Sequence, residues 1–220
     1  MILPTDVELV QHAAATYDPA AIPDFQDVDH AVKVFMTTRA DGLNVIAIEG
    51  THDAVGWGFD FLAASVSDQQ GMDKQTLGFV HSGFYAAGLT ALTRCALIAA
   101  GGPYAICGHS LGAALALLIG GILSQDSFEG HSLAPVKIGA FAPPRVGGAQ
   151  FVKVIETIPF CAYRYGQDPV PEVPFSIPGW PYEQVPLTQL PGPAVPLFDI
   201  RARLADHHIQ NYVAGVPAAA

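Results

Sequence analysis

The pentapeptide Gly108-His109-Ser110-Leu111-Gly112 constrains this chain more than any other stretch. Behind it lies Tyr104-Ala105-Ile106-Cys107, short, apolar and partly β-branched, as a buried strand requires. Ahead of it Ala113 to Ile119 is a run of residues that a helix accepts. Strand, G-x-S-x-G and helix in that order describe a serine on a sharp, strained turn, thrown clear of the sheet. Glycines on either side let the chains approach where a Cβ would not fit. The free N–H groups and positive potential at the start of the helix favour a developing oxyanion beside Ser110. In isolation the same pattern also describes a Gly-rich turn between a core strand and a core helix with an ordinary serine, so the rest of the chain has to decide.

A length of 220 residues suits one large core, and a single domain over 1–220 is expected. Half the residues are apolar and only 14% are charged, the composition of a buried sheet. The net charge of −10, with Lys and Arg scattered, argues against nucleic acid and against anionic bilayers as partners. Cys95, Cys107 and Cys161 fall in segments that read as buried, and are expected to be reduced core residues. No cysteine or histidine spacing suits zinc, so no metal site is expected, and the serine chemistry set out below needs no cofactor. The longest apolar run, Leu111 to Leu123, is too short to span a membrane. Met1 to Tyr17 lacks a basic n-region and a continuous apolar h-region. A cytoplasmic chain is therefore expected, or an extracellular one if a leader has been removed or another export route serves.

Taken in order, Thr5-x-x-Glu8 is a capping box that opens a helix running to about Tyr17. Asp18 to Asp29 reads as a loop. Strands follow at Ala31–Thr38 and Leu43–Glu49, joined by Asp41-Gly42 as a hairpin, with Val45 to Ile48 deep in the sheet. The second strand ends in Glu49-Gly50-Thr51, where Thr51 either brings an N–H and a hydroxyl to the end of the sheet or caps a helix. Asp53 to Ala64 crowds Val55, Trp57, Phe59, Phe61 and Leu62 around Gly56 and Gly58, as a core helix or an amphipathic cover. Ser65 to Gln75 reads as a polar loop, and Tyr85 to Ala100 as a helix, with His81-Ser82 structural in role. After a loop at Gln125–Ala134 come a strand at Val136–Phe141, a helix at Gly148–Thr157 and a strand at Phe160–Tyr165, which puts Asp168 at a strand end. A Pro-rich wrap from Pro171 to Pro196 holds a short strand at Tyr182–Thr188, and a last helix begins near Asp206 and carries His207 and His208.

Alternating strands and helices give an α/β fold with a mostly parallel central sheet flanked by helices. Sites in such sheets form at the carboxyl ends of the strands. Ser110, Asp168 and a histidine of the pair His207-His208 belong there. Serine is a weak nucleophile that needs an adjacent base, an imidazole can take and return its proton, and a carboxylate fixes the tautomer of that imidazole. The residues alone leave the choice between His207 and His208 open, since only one of two adjacent side chains can serve.

Six motifs follow one another along the chain: Ile46-Ala47-Ile48-Glu49-Gly50-Thr51, Val80-His81-Ser82-Gly83-Phe84, Gly108 to Gly112, Phe141-Ala142-Pro143-Pro144-Arg145-Val146-Gly147, Arg164 to Pro171, and Asp206-His207 with Tyr212. In that order they resemble the class 3 (fungal-type) lipase family of the α/β-hydrolase fold. The resemblance covers about Leu43 to Tyr212 and implies a serine carboxylester hydrolase acting through an acyl-enzyme on a small-molecule or lipid ester. It selects His207 over His208, and makes Thr51 and Leu111 the oxyanion donors. It also places a short lid after Thr51, so that Trp57, Phe59, Phe61 and Leu62 would face an acyl chain or make transient contact with a lipid surface. The family's Arg before Gly-Thr is Glu49 here. Phospholipase A1 or feruloyl-type esterase activity uses the same triad, and a catalytically silent binding protein on the same scaffold is the alternative from another class.

Overall fold

The computed structural model describes residues 2–50, 71–74, 76–196 and 198–218. Helix α1 (Asp6–Ala15) starts as its capping box requires, with Thr5 Oγ1 accepting from the Glu8 N–H at 3.1 Å. The stretch read as a loop after it carries a short strand, β1 (Phe25–Asp27), antiparallel to β2 (Val32–Thr38). β2 and β3 (Asn44–Ile48) form the expected hairpin, and Gly42 at its turn takes the positive φ that such a turn needs. β4 (Gly71–Lys74), which was expected as loop, pairs with β5 (Gly78–His81) in a separate antiparallel ribbon. Helix α2 (Ser82–Ala100) begins earlier than the spacing of its apolar residues suggests, because His81 caps it by accepting from the Phe84 N–H.

β6 (Tyr104–His109) leads through the serine turn into α3 (Leu111–Ser124). The loop expected next holds a small hairpin of β7 (Ser127–Phe128) and β8 (His131–Ser132). β9 (Lys137–Phe141), α4 (Ala149–Glu156) and β10 (Phe160–Tyr165) then follow as read. In the Pro-rich wrap the strand is confined to β11 (Thr188–Leu190), parallel to β10. It starts only there because Pro181 and Pro186 lack the N–H that a ladder requires. The chain closes with α5 (Ile200–Ala205) and α6 (Ile209–Gly215).

The main sheet has the order β1-β2-β3-β6-β9-β10-β11, antiparallel at one edge and parallel from β3 onward. Alternation divides its side chains. Ile46, Ile48, Ile106 and Ile138 pack with Leu115, Leu118, Phe151 and Ile155 of α3 and α4. Val45, Ala47, Ala105, Cys107 and Phe141 pack on the other face with Leu9, Val10 and Tyr212 of α1 and α6. Burial on both faces explains why β3, β6 and β9 read as continuous apolar runs, each large side chain contributing about 1.5–3 kcal/mol. α2 has the length and hydropathy of a spanning segment, but its Phe84, Ala87, Ala91, Cys95 and Ile98 face lies in this core. Cys95 and Cys107 are buried and Cys161 is half-buried, and all three are unbonded thiols. Burial pushes Cys95 up to about 12. Because the central strands run parallel, Gly50, Ser110 and Asp168 all emerge at one edge of the sheet.

Candidate active site

Ser110 stands between β6 and α3 with φ 58° and ψ −124°, a left-handed conformation that costs a non-glycine residue about 1–3 kcal/mol. The surrounding sheet holds it there, since its N–H donates to the Phe141 carbonyl of β9 at 2.9 Å. The turn is tight enough to exclude side chains beside it. A Cβ on Gly112 would lie 2.1 Å from the Ile48 carbonyl oxygen of β3, and one on Gly108 would lie 2.3 Å from the Gly112 carbonyl. Both flanking glycines are thus demanded by close approach, as the pentapeptide implies.

His207 is brought to Ser110 across 97 positions of sequence, with Nε2 2.8 Å from Ser110 Oγ. Its Nδ1 lies 2.8 Å from Asp168 Oδ2. A carboxylate only accepts, so Nδ1 carries the proton and Nε2 is left to accept from the serine hydroxyl. All three side chains are buried, Ser110 at 1% exposure and Asp168 and His207 at 0%. His207 does not ride on a helix as expected. α5 ends at Ala205, Asp206 and His207 form the turn, and His208 is the exposed N-cap residue of α6. Asp206 does not open a helix because its carboxylate accepts from the Gln167 N–H at 2.8 Å instead.

Asp168 is oriented at both oxygens. Oδ1 accepts from the Val170 N–H at 2.9 Å, while Oδ2 accepts from the Tyr212 hydroxyl at 2.5 Å as well as from His207. The Tyr212 oxygen in turn accepts from the Tyr165 N–H of β10. Burial and the Asp168 charge raise the Tyr212 phenol well above its ordinary value, so it remains a donor. The segment carrying Asp168 is tied to α5 by Arg203, which donates to both Glu172 oxygens at 2.8 and 2.9 Å and to the Gln167 carbonyl at 3.0 Å. Arg164 reaches the same Glu172 from β10.

Leu111 is the first residue of α3, next to the nucleophile. The Ala113 and Ala114 N–H groups are taken by the Ser110 carbonyl, whereas the Leu111 N–H has no backbone acceptor among the described residues. Thr51, Trp57, Phe59, Phe61 and Leu62 lie outside the described residues. The approach to Thr51 is described: Ile48 sits opposite Gly108, and a Cβ on Gly50 would be 3.4 Å from Ser110 Cβ. Glu49 is buried and pairs with Lys33 of the neighbouring strand at 2.8 Å, which is how the chain accommodates an acid at the position of the family's Arg. Tyr17, His109, Arg203 and Glu172 also meet around these groups, and local sequence carries no signal for them.

The model of the family described as class 3 lipase matches residues 45–177, which include Ser110 and Asp168. No curated protein matches the sequence. Solved structures do match. Lipase II from Rhizopus niveus superposes with TM-score 0.66 at 19% identity, over 84% of this chain and 80% of that one. The mono- and diacylglycerol lipase from Aspergillus oryzae gives TM-score 0.62 at 19% identity, over 88% and 83%. The triacylglyceride lipase of Rhizomucor miehei gives 0.61 at 18%, over 84% and 77%. These likenesses show the fold, an α/β-hydrolase sheet with its helices.

Proposed function

This chain belongs to the class 3 lipase family and is a carboxylic ester hydrolase, and on that premise we propose that Ser110, His207 and Asp168 carry its chemistry on acyl esters such as acylglycerols. The observation that supports the assignment is the unbroken hydrogen-bonded chain from Ser110 Oγ through His207 to Asp168, at 2.8 Å in each link, on the strand-end edge of a parallel sheet.

In this reading Ser110 Oγ attacks the ester carbonyl carbon as its proton passes to His207 Nε2. Asp168 holds Nδ1–H and stabilises the imidazolium that forms. The oxyanion is held by the Leu111 N–H and by Thr51, each such donor being worth about 10²–10³ in rate. Collapse breaks the C–O bond, and the imidazolium gives its proton to the departing alkoxide. Water then attacks the acyl-serine, loses its proton to His207, and releases the acid with Ser110 restored. No cofactor enters these steps. Trp57, Phe59, Phe61 and Leu62 would supply the apolar surface that meets the acyl chain or a lipid interface. We place all of this in one domain over 1–220. Either compartment named from the sequence suits a reaction that needs only an ester and water.

The test is hydrolysis of p-nitrophenyl esters from C2 to C16, with a phosphonate inactivator and mass spectrometry to locate the label. Ser110→Ala should lower kcat by about 10⁶-fold while the fold survives, and the phosphonate should sit on Ser110. Turnover retained in Ser110→Ala would refute the assignment.

A further inference from the structure

His109 has no part in the proton path described above, yet it is buried at 2% exposure directly under it. Its Nε2 lies 2.9 Å from the carbonyl oxygen of His207, and its Nδ1 lies 2.8 Å from the hydroxyl of Tyr17. A carbonyl only accepts, so Nε2 carries the proton and Nδ1 accepts from the Tyr17 O–H. Burial and the neighbouring imidazole of His207 hold His109 well below its ordinary value, which keeps this neutral tautomer in place. The Tyr17 oxygen also lies against the backbone of Gly50. The fit is close, since a Cβ on Gly50 would lie 2.2 Å from that oxygen. Rings complete the packing: His109 sits 4.7 Å from His207, 5.5 Å from Tyr212 and 5.8 Å from Tyr17, centroid to centroid.

The Tyr17 hydroxyl, seated on the Gly50 backbone, and the His109 imidazole, bonded to it and to the His207 carbonyl, therefore join three segments that carry the chemistry. These are the end of β3 leading to Thr51, the nucleophile turn, and the turn between α5 and α6. Among the described residues no strand pairing or shared helix joins the last of these to the other two. We propose that Tyr17 and His109 are a positioning pair, whose phenol and imidazole fix the backbone of His207 and the Gly50 end of β3 against the nucleophile turn so that His207 Nε2 meets Ser110 Oγ in attacking geometry. The inference rests on the triad assigned under the proposed function.

Because both residues act through His207, the readout is kcat against KM on a soluble p-nitrophenyl ester, with circular dichroism confirming the fold of each variant. Tyr17→Phe should lower kcat about tenfold with KM unchanged. His109→Ala should lower kcat about 10²-fold, since small misplacements of a catalytic base cost that much. His109→Gln, whose amide N–H reaches where Nε2–H stands, should recover about tenfold of the loss. His109→Asn, which stops at the Nδ1 position, should recover none. A kcat unchanged in Tyr17→Phe and in the three His109 variants, or a loss confined to KM, overturns the inference. If the His109 variants do not fold, Tyr17→Phe decides alone. Phosphonate labelling of the wild-type enzyme separates the two levels. No label on Ser110 overturns the triad and this inference together, whereas a label on Ser110 with unchanged kcat in the variants overturns this inference only.

Discussion

Acidification should weaken this fold through His109 before Asp6, Asp27 or Asp41 contributes, and His109→Gln should remove that weakness. The imidazole is buried beneath the nucleophile turn, with Tyr17 at one nitrogen and the His207 carbonyl at the other. Burial first, and the His207 imidazole second, hold its folded value well below the 6.5 of a free histidine. Between those two values the unfolded chain binds one proton more than the folded one. The difference ν_U − ν_N is then about +1, and stability rises with pH at about 1.36 kcal/mol per unit. The contribution is therefore whole above 6.5 and is lost as pH falls from there toward the folded value. From pH 6.5 to pH 5 the full slope amounts to about 2 kcal/mol, against a total stability of about 5–15 kcal/mol for a typical domain. His12, half-buried on α1, is shifted in the same direction by its own burial and adds a smaller, partly screened term.

The carboxylates with shifted values do not blur this window: Asp6, Asp27 and Asp41 are held below the ordinary 3.8, Asp41 at about 2 beside Arg39. Their stabilising contributions persist above that ordinary value and disappear only below it. Urea denaturation of wild type and His109→Gln at pH 7, 6, 5.5 and 5 isolates the imidazole as the difference between two curves. Wild type should lose about 2 kcal/mol more than the variant between pH 7 and pH 5, or about 4–8 °C in Tm for a chain of this size. Parallel curves would refute the reasoning, because they would mean that His109 accepts a proton in the folded protein as readily as in the unfolded one.

Gly112→Ala should abolish ester turnover and cost more than about 4 kcal/mol, because the new Cβ would lie 2.1 Å from the Ile48 carbonyl and β3 cannot retreat without breaking its ladder to β6; a wild-type melting curve would contradict the close approach. Arg203→Gln should cost about 1–2 kcal/mol, discounted for the partial exposure of Glu172, and should lower kcat more than it raises KM by loosening the Asp168 segment from α5. Glu172→Gln should behave alike, and the double variant should lose little more than either single one, as a double-mutant cycle of melting curves would show.

The parts of this fold that were legible are those that physics fixes locally. β3, β6 and β9 announce themselves because strands covered on both faces must be apolar without interruption. Ser110 is legible because a turn this tight admits only glycine at Gly108 and Gly112. The short strands were not. β1, β7 and β8 run for two or three residues, too few to show a period, and owe their existence to a neighbouring strand. Residue chemistry left His207 and His208 even, and family resemblance separated them. The geometry supplies the physical reason: His208 is exposed at the start of α6, while His207 in the turn before it is buried between Ser110 and Asp168.

Asp206 shows why the supports of a site are harder to read than its reacting groups. Locally it has every feature of a helix cap, being an acid just ahead of an apolar, helical stretch. What claims it is the Gln167 N–H, 39 positions away in sequence. Gln167 precedes Asp168 and Asp206 precedes His207, so the bonds 167–206 and 168–207 are successive rungs between the same two segments. The bond from the Gln167 N–H to the Asp206 carboxylate holds the two segments together, and the side-chain rung beside it closes at 2.8 Å. Arg203, on the same side of His207, adds a further tie to Gln167 and Glu172. A nucleophile, a base and an acid can be named from what each must do to a proton. A rung can be named only once the topology has laid the two segments side by side, and that ordering of dependence runs from the parallel sheet to the bonds between these segments and from those to the triad.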